Sequence, residues 1–137
     1  MAILERFRSD DVGKLLLRIA VGGLLLFHGI AKAQSGNAFV LGVMQQHGLP
    51  VFLAYGSYLA EIVAPILILA GVQVRLAGLV VAADLLMAIL LALRGAIFTV
   101  RMGGAWGIEV EAFFVLGGLA LFLMGGGKYR ISLGGAD

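Results

Sequence analysis

The stretch formed by residues 51–71 constrains the fold of this chain more than any other. It reads VFLAYGSYLAEIVAPILILAG and has a single formal charge, Glu61, near its middle. A helix of about 20 apolar residues spans the roughly 30 Å hydrocarbon core of a bilayer. An ionised carboxylate at that depth is costly and needs a partner or a water-filled cavity. The stretch therefore predicts a membrane-spanning helix with a polar site near its centre.

Pro65 adds a second feature to the same helix. Proline has no backbone N–H, so the usual helical hydrogen bond to the carbonyl of Glu61 cannot form. We therefore expect one site to hold both a carboxyl group and a freed backbone oxygen.

The composition indicates a membrane protein throughout. Of the 137 residues, 61% are hydrophobic and 13% are charged, and the mean hydropathy is +1.06. Soluble domains have about 25% charged and about 45–50% apolar residues. The net charge of +2 is too small to indicate a nucleic-acid partner. The chain has no cysteine, which excludes disulfides, thiolate metal sites and dithiol chemistry on the chain itself.

The pattern of apolar segments predicts one all-α domain over residues 1–137. We expect a polytopic membrane protein, an antiparallel bundle of four transmembrane helices with short connections. The predicted spans cover about residues 12–33, 51–71, 74–94 and 108–126. A helix at about residues 37–47, too short and polar to span, is expected to lie in the membrane interface.

Small residues offer close-packing seams between these helices. The candidates are Ala60 with Ala64, Gly78 with Ala82, and the pair Gly117 and Gly118. Such seams serve helices of one chain or of neighbouring chains, so a homo-oligomer is a candidate assembly and the oligomeric state stays open.

The orientation in the bilayer follows from the basic residues that flank the spans. One side is predicted to hold Arg6, Arg8, Lys14, Arg75, Lys128 and Arg130, and the other Lys32, Arg94 and Arg101. Because the more basic side faces the cytoplasm, both termini are predicted to be cytoplasmic. Arg18 and Arg75, near that face, are expected to pair with lipid phosphates or with Asp10 and Asp11.

The ionisable groups inside the membrane are the candidate functional residues. Glu61 and His28 are the candidates for proton exchange with a ligand. Side chains predicted to line a pocket that opens outward around them are Lys32, Tyr58, Asp84, Arg94, Glu109 and Glu111. His28 and Lys32 are four residues apart and share a helix face, as do Tyr58 and Glu61 with Ser57.

Each candidate also has a structural interpretation. Lys32 and Arg94 lie near helix ends, from which long basic side chains commonly extend their charged groups to the lipid headgroups. Two carboxylates, Glu109 and Glu111, begin a helix, whose positive end favours them. His28 could bond a neighbouring backbone group, and Glu61 could bond Tyr58, Asp84 or Lys32.

Several collinear motifs resemble those of the DoxX family of membrane proteins. They are LLLRIA at residues 15–20, FHGIAK at 27–32, GLP at 48–50, LILAG at 67–71, MAI at 87–89, WGIE at 106–109 and GKYRISL at 127–133, together with Glu61 and Arg75. The resemblance covers nearly the whole chain. It implies four transmembrane helices in a bacterial inner membrane and association with quinol-oxidase or other redox complexes.

The resemblance also bears on cofactors. It implies a quinone as the molecule to be bound and a redox enzyme as the partner subunit. Family members often have a histidine near the end of the third helix, where Ala92 and Leu93 stand in this chain. With His28 and His47 as its histidines, and His47 in a connecting segment, we expect neither haem nor a metal.

Three classes of function are compatible with these residues. The first is an accessory, quinone- or quinol-interacting subunit of a membrane oxidoreductase, which needs a partner to carry electrons. The second is a small transporter or channel that uses the midplane acids Glu61 and Asp84. The third is a structural subunit of a membrane complex without catalytic activity.

Overall fold

The computed structural model describes residues 1–131, so Ser132 and Leu133 of the last motif lie outside the described residues. The helices, in chain order, are α1 (Ala2–Glu5), α2 (Asp10–Ser35), α3 (Ala38–Gln46), α4 (Val51–Ala70), α5 (Val74–Ala92) and α6 (Glu109–Met124). A short 3-10 helix, Arg94–Phe98, follows α5. Within residues 1–131 the extended structure is one isolated bridge, between Val100 and Trp106.

Three of these helices, α2, α4 and α5, are long and apolar enough to cross a membrane. They correspond to the first three predicted spans, so the prediction of an all-α membrane protein is confirmed for them. The predicted fourth span is α6, which has 16 residues. At 1.5 Å per residue α6 is about 24 Å long, shorter than the roughly 30 Å hydrocarbon core.

Both α2 and α4 contain a wider, π-helical turn. In α4 this turn, Leu59–Val63, lies just before Pro65, and the N–H of Ala64 bonds to the carbonyl of Leu59. In α2 it covers Ile19–Gly23. Because proline removes one hydrogen bond of the regular pattern, a local change of helical pitch beside it is expected. The predicted irregularity of this helix therefore takes the form of a π turn that contains Glu61.

Glycines let the helices approach closely. A Cβ at Gly22 would lie 3.0 Å from the carbonyl oxygen of Pro65, on α4. A Cβ at Gly78 would lie 2.6 Å from the carbonyl oxygen of Gly118, and α5 and α6 pack along each other there. Gly117 contacts Val21 of α2. The predicted glycine seams of α5 and α6 therefore serve contacts within the chain.

The core lies where α2, α4, α5 and α6 meet. Its fully buried side chains include Val21, Leu25, Ile68, Val81 and Leu121. Burying such side chains removes apolar area from lipid as well as from water, so tight packing matters more than the hydrophobic effect inside a bilayer.

The buried side chain of Arg18 connects the end of α4 to the C-terminal segment, at the same end of the molecule as the N-terminus of α2. Its guanidinium donates to the carbonyls of Ile68 (2.7 Å) and Leu69 (2.8 Å), at the end of α4. It also donates to Gly126 (3.2 Å) and Tyr129 in the C-terminal segment. The expectation that Arg18 meets lipid phosphates is wrong, because unpaired carbonyls at a helix end bind a guanidinium directly.

Arg75 has a similar structural contact on the exposed side. Its Nη1 donates to the carbonyls of Phe122 (3.1 Å) and Leu123 (3.0 Å), in the last turn of α6. The C-terminal segment is held by two further bonds, from Lys128 N to Asp11 Oδ1 (3.0 Å) and from Ile131 N to the Ala70 carbonyl (2.9 Å).

Candidate functional site

The centre of the candidate site is an ion pair between α2 and α4. Lys32 Nζ lies 2.6 Å from Glu61 Oε2, and the Glu61 side chain is 6% exposed against 31% for Lys32. Gly29, one turn before Lys32, allows this pairing, because a side chain there would collide with the carbonyl group of Glu61. The two helices touch at this point, and the charged side chains meet beside the contact.

Asp84 of α5 brings a second carboxyl group to the pair. Asp84 lines the same cavity as Lys32 and Glu61, and it interacts electrostatically with both of them. The cluster thus combines two carboxyl groups and one ammonium at one wall of the cavity.

The cluster forms one wall of a cavity of about 350 Å³. Its polar lining residues are Lys32, Ser57, Glu61 and Asp84. The remaining lining is apolar or glycine and comes from α3, α4 and α5: Phe39, Val40, Val43, Met44, Leu53, Gly56, Ala60, Val80, Ala83, Met87, Ala88, Leu91 and Ala92. The site is therefore a largely apolar cavity with a charged wall, and not the polar pocket that the sequence suggests.

The short helix α3 covers the end of this cavity and is held at both of its ends. Before it, Asn37 Nδ2 donates to the Ala54 carbonyl (2.9 Å) and to Ser57 Oγ (3.2 Å). After it, His47 Nε2 lies 3.0 Å from the carbonyl of Leu91. These contacts tie α3 to the start of α4 and to the end of α5.

The structure places several other predicted site residues away from the cavity lining. His28 is exposed on α2 and meets the ring of Phe114 edge-on, with ring centroids 5.9 Å apart. The hydroxyl of Tyr58 donates to the carbonyl of Lys32 at 3.4 Å. Of the predicted set, Lys32, Glu61 and Asp84 are brought together.

Three predicted residues lie near helix ends. Arg94 is exposed in the 3-10 helix after α5, and Glu109 and Glu111 occupy the first turn of α6. The first turn of a helix stabilises carboxylates through its positive end, in line with their structural interpretation.

Sequence reasoning missed the part that α3 plays. The apolar side chains of α3 at helical spacing indicate a helix with an apolar face, but not what that face covers. Asn37 and Ser57 were signals of a polar contact, since both are polar residues among apolar neighbours in the sequence. Their pairing joins positions 20 residues apart, which spacing alone does not predict.

With this geometry established, comparison with known proteins identifies the class. The family model DoxX matches residues 13–94, which is more than half of the chain. The chain belongs to the DoxX family. Residues 13–94 contain α3, α4, α5 and most of α2, and therefore every residue that lines the cavity.

A curated relative comes from Bacillus subtilis (strain 168) and is named "Putative oxidoreductase CatD". It is 33% identical to this chain over 95 residues, which are 69% of this chain and 64% of the relative. The match thus spans less than two thirds of the relative's length. No solved structure shows a significant match.

Proposed function

We propose that this DoxX-family chain is an accessory subunit of a membrane redox system that binds a quinone or quinol in the cavity beside Glu61. The observation that carries the proposal is the cluster of Lys32, Glu61 and Asp84 at the wall of an otherwise apolar cavity. The name of the Bacillus subtilis relative, an oxidoreductase, supports the same class of function.

The cavity suits a ring with an apolar tail. Its volume of about 350 Å³ lies in the range of small-molecule sites, roughly 300–1,000 Å³. Apolar side chains of α3 and α5 would contact the ring faces and the start of the tail. The carboxyl groups would meet the ring oxygens, where protons are gained and lost when a quinone is reduced or a quinol oxidised.

Access from the lipid side fits such a ligand. Helices α4 and α5 are joined by the short turn at residues 71–73, and their mutual contacts lie mainly in Leu59–Val63 and Ala64–Ala70. The cavity lies toward the other end, where α3 covers the gap. Ala83 and Met87 line the cavity and are exposed on the outside of α5. An apolar tail would leave along this side.

A partner subunit completes the proposal. The sequence has no cysteine and offers no histidine pair for haem, so electrons would pass between the bound ligand and a redox partner. The role of this chain would be to bind the ligand, orient its ring oxygens and exchange a proton with them.

The proposal places the chain in a bacterial inner membrane with four crossings and both termini in the cytoplasm. Its support is the path of the chain around α6. The loop before α6 follows α5 at one end of the helices, and the segment after α6 bonds Asp11 and Ala70 at the opposite end. The short α6 would cross by local thinning of the bilayer or through its flanking residues.

The test is quinone retention. The full chain is purified in mild detergent from quinone-containing membranes, and the bound quinone is extracted and quantified per chain. We expect near-stoichiometric quinone for the wild type and a loss of about tenfold in affinity for Glu61→Gln. Glu5→Gln, the same change on the distant helix α1, should retain the wild-type amount.

Wild-type protein that retains no quinone and binds none when it is added would refute the proposal. Proton or solute flux through reconstituted vesicles, abolished by Glu61→Gln, would favour the transporter instead. A transporter needs a second opening at the opposite end of the cavity. The side chains on the way from the cavity to Arg18 include Ile68 and Val81, and both of them are fully buried. If substitutions in the cavity change neither quinone retention nor flux, the result would favour the function of a structural subunit.

A further inference from the structure

The helix α3 forms one side of the cavity without belonging to the core. Its apolar side chains Phe39, Val40, Val43 and Met44 line the cavity at helical spacing. Of the described residues Ala38–Gln46, Met44 alone is buried, and it is not part of the core cluster. α3 therefore covers the cavity while burying little of its own surface.

Polar contacts hold α3 at its two ends. Asn37, just before it, donates through Nδ2 to the carbonyl of Ala54 at 2.9 Å and to Ser57 Oγ at 3.2 Å. His47, just after it, has Nε2 at 3.0 Å from the carbonyl oxygen of Leu91. Because a carbonyl oxygen only accepts hydrogen bonds, Nε2 is the donor. These two contacts, the Asn37 latch and the His47 latch, fix α3 to α4 and to α5.

Glycines connect α3 to both neighbouring helices. Gly36 lies between α2 and α3 with a φ of +82°, and Gly48 lies between α3 and α4 with a φ of +66°. A Cβ at either position would have nothing within 4 Å. Glycine is the residue least restricted in its backbone angles, and the backbone here is free of neighbouring atoms. Both ends of α3 therefore have the properties of hinge positions.

The surroundings of a membrane protein give the latches control over the position of α3. Apolar side chains that leave a contact within the protein meet lipid tails, which are as apolar as leucine. Separation of α3 from the cavity therefore loses packing contacts but little hydrophobic free energy. In residues 1–131, Asn37 Oδ1 is buried without a hydrogen-bond partner, which disfavours the closed position. The hydrogen bonds of the latches oppose this cost.

We propose that α3 is a lid, which swings as one unit about Gly36 and Gly48 and admits the ligand to the cavity. The inner wall at Ala60 and Glu61 is 2% and 5% exposed, so it becomes accessible to a ring-sized ligand when α3 moves aside. The two latches set the fraction of molecules in which the lid is open. The identity of the ligand rests on the proposed function, whereas the opening of α3 does not.

Cysteine substitution in this cysteine-free chain measures the opening directly. Ala60→Cys places a thiol at the inner wall, and Ala88→Cys places one on the part of α5 that lines the cavity. The full chain in detergent is treated with N-ethylmaleimide at concentrations at which the rate is proportional to the reagent, so that the rate reports the open fraction. Met102→Cys, at a fully exposed position, gives the rate of an uncovered thiol.

Loss of either latch is expected to raise the reaction rate of the covered thiols. The net contribution of one hydrogen bond corresponds to about a threefold to tenfold change in the open fraction. His47→Ala should therefore accelerate the reaction of both Ala60→Cys and Ala88→Cys by about this factor, and Asn37→Ala should do the same. Gln46→Ala, which changes an exposed polar side chain of the same helix, should leave both rates unchanged.

The kinetics of quinone binding test the entry route. Association and dissociation of a tritiated short-tailed quinone are followed by rapid filtration of the full chain in detergent. Because the latches are closed both before and after binding, loss of one latch should raise both rate constants by about threefold to tenfold. The Kd, which is the ratio of the two rate constants, should change far less.

The outcomes separate this inference from the proposed function. Unchanged maleimide rates in both latch variants overturn the lid. Acceleration at one thiol alone also overturns it, because α3 would then fray at one end and not move as a unit. Faster maleimide reaction with an unchanged association rate for the quinone overturns entry beneath α3 and leaves the proposed function standing. A chain that binds no quinone refutes the proposed function, while the maleimide rates still decide whether α3 is a lid.

Discussion

The ion pair of Lys32 and Glu61 sets the energetics of the site at the scale of single residues. Glu61 is buried, and its charge is compensated by an ammonium that is itself about one third exposed. Removal of one partner of a buried pair leaves an uncompensated charge, which costs more than the pair contributes. Loss of one partner is therefore expected to lower the stability of the protein more than loss of both partners together.

Lys32→Met tests this dependence. We expect a loss of about 1–2 kcal/mol, less than the roughly 3–5 kcal/mol of a fully buried pair, because Lys32 is partly exposed. The double variant Lys32→Met with Glu61→Gln should recover most of that loss. Thermal unfolding in detergent, monitored by size-exclusion chromatography, measures the loss of stability in the single and the double variant. Additive losses in the double variant would contradict the coupling.

Arg18 illustrates a second kind of buried charge. Its planar guanidinium reaches carbonyls of two separate segments, the end of α4 and the C-terminal segment. A lysine has one nitrogen and cannot bridge both sets. Arg18→Lys is therefore expected to cost about 2–4 kcal/mol through carbonyls left without donors.

Arg75→Lys is the matched control for Arg18→Lys. Arg75 is exposed and donates through one nitrogen, Nη1, to the carbonyls of Phe122 and Leu123, a task that an ammonium can perform. Its cost should stay below about 1 kcal/mol. The comparison uses the apparent unfolding temperature of each variant in the same detergent. Equal shifts for the two arginines would show that the bridging geometry has no special importance.

At the scale of helices, glycines decide which faces meet. α2 contains glycines in two different environments. A Cβ at Gly29 would collide with the carbonyl group of Glu61, whereas a Cβ at Gly13 would have nothing within 4 Å. The contact at Gly29 is what brings Lys32 within reach of Glu61, so the site depends on the absence of one side chain.

Gly29→Ala and Gly13→Ala form a matched pair of substitutions in one helix. We expect Gly29→Ala to separate α2 from α4, to cost about 2 kcal/mol and to weaken ligand binding at the cavity. Gly13→Ala should be neutral or stabilise α2 by up to about 1 kcal/mol, since alanine is the better helix former. Unfolding temperatures and ligand affinity give the two readouts. Wild-type affinity in Gly29→Ala would remove the link between the glycine contact and the site.

At the scale of the whole molecule, the number of membrane crossings depends on α6. Three helices have the length and composition of membrane spans, and α6 packs along α5 with only 16 residues. The basic residues of the flanks predict cytoplasmic termini. With four crossings, the loop before α6 and the segment after it lie on opposite sides of the membrane.

Single cysteines in this cysteine-free chain distinguish the arrangements. Met102→Cys, Lys128→Cys and Phe7→Cys are treated with a membrane-impermeant maleimide on intact spheroplasts. We predict labelling at position 102 alone, because the orientation predicted from the basic residues places position 102 in an outer loop and positions 7 and 128 on the cytoplasmic side. Equal labelling at positions 102 and 128 would mean that α6 does not cross. Labelling restricted to positions 7 and 128 would mean the opposite orientation.

The sequence by itself determined the class of protein and singled out Glu61 as the central residue of the candidate site. Hydropathy is a local property, so the apolar helices could be predicted to within a few residues, and the DoxX motifs are collinear with them. Glu61 was identifiable because a charge in the middle of an apolar span must be compensated. Pro65 indicated the irregular helix, although not that it takes the form of a π turn.

The tertiary structure decided which groups meet Glu61. The sequence placed His28, Lys32, Tyr58 and Asp84 on faces that could meet it, but the rotation of each helix about its axis is set by contacts such as that of Gly29 with α4. That rotation brings Lys32 and Asp84 to the carboxyl group and leaves His28 beside Phe114. The apolar character of the cavity and the cover formed by α3 also arise from packing between segments distant in sequence, which no local pattern records.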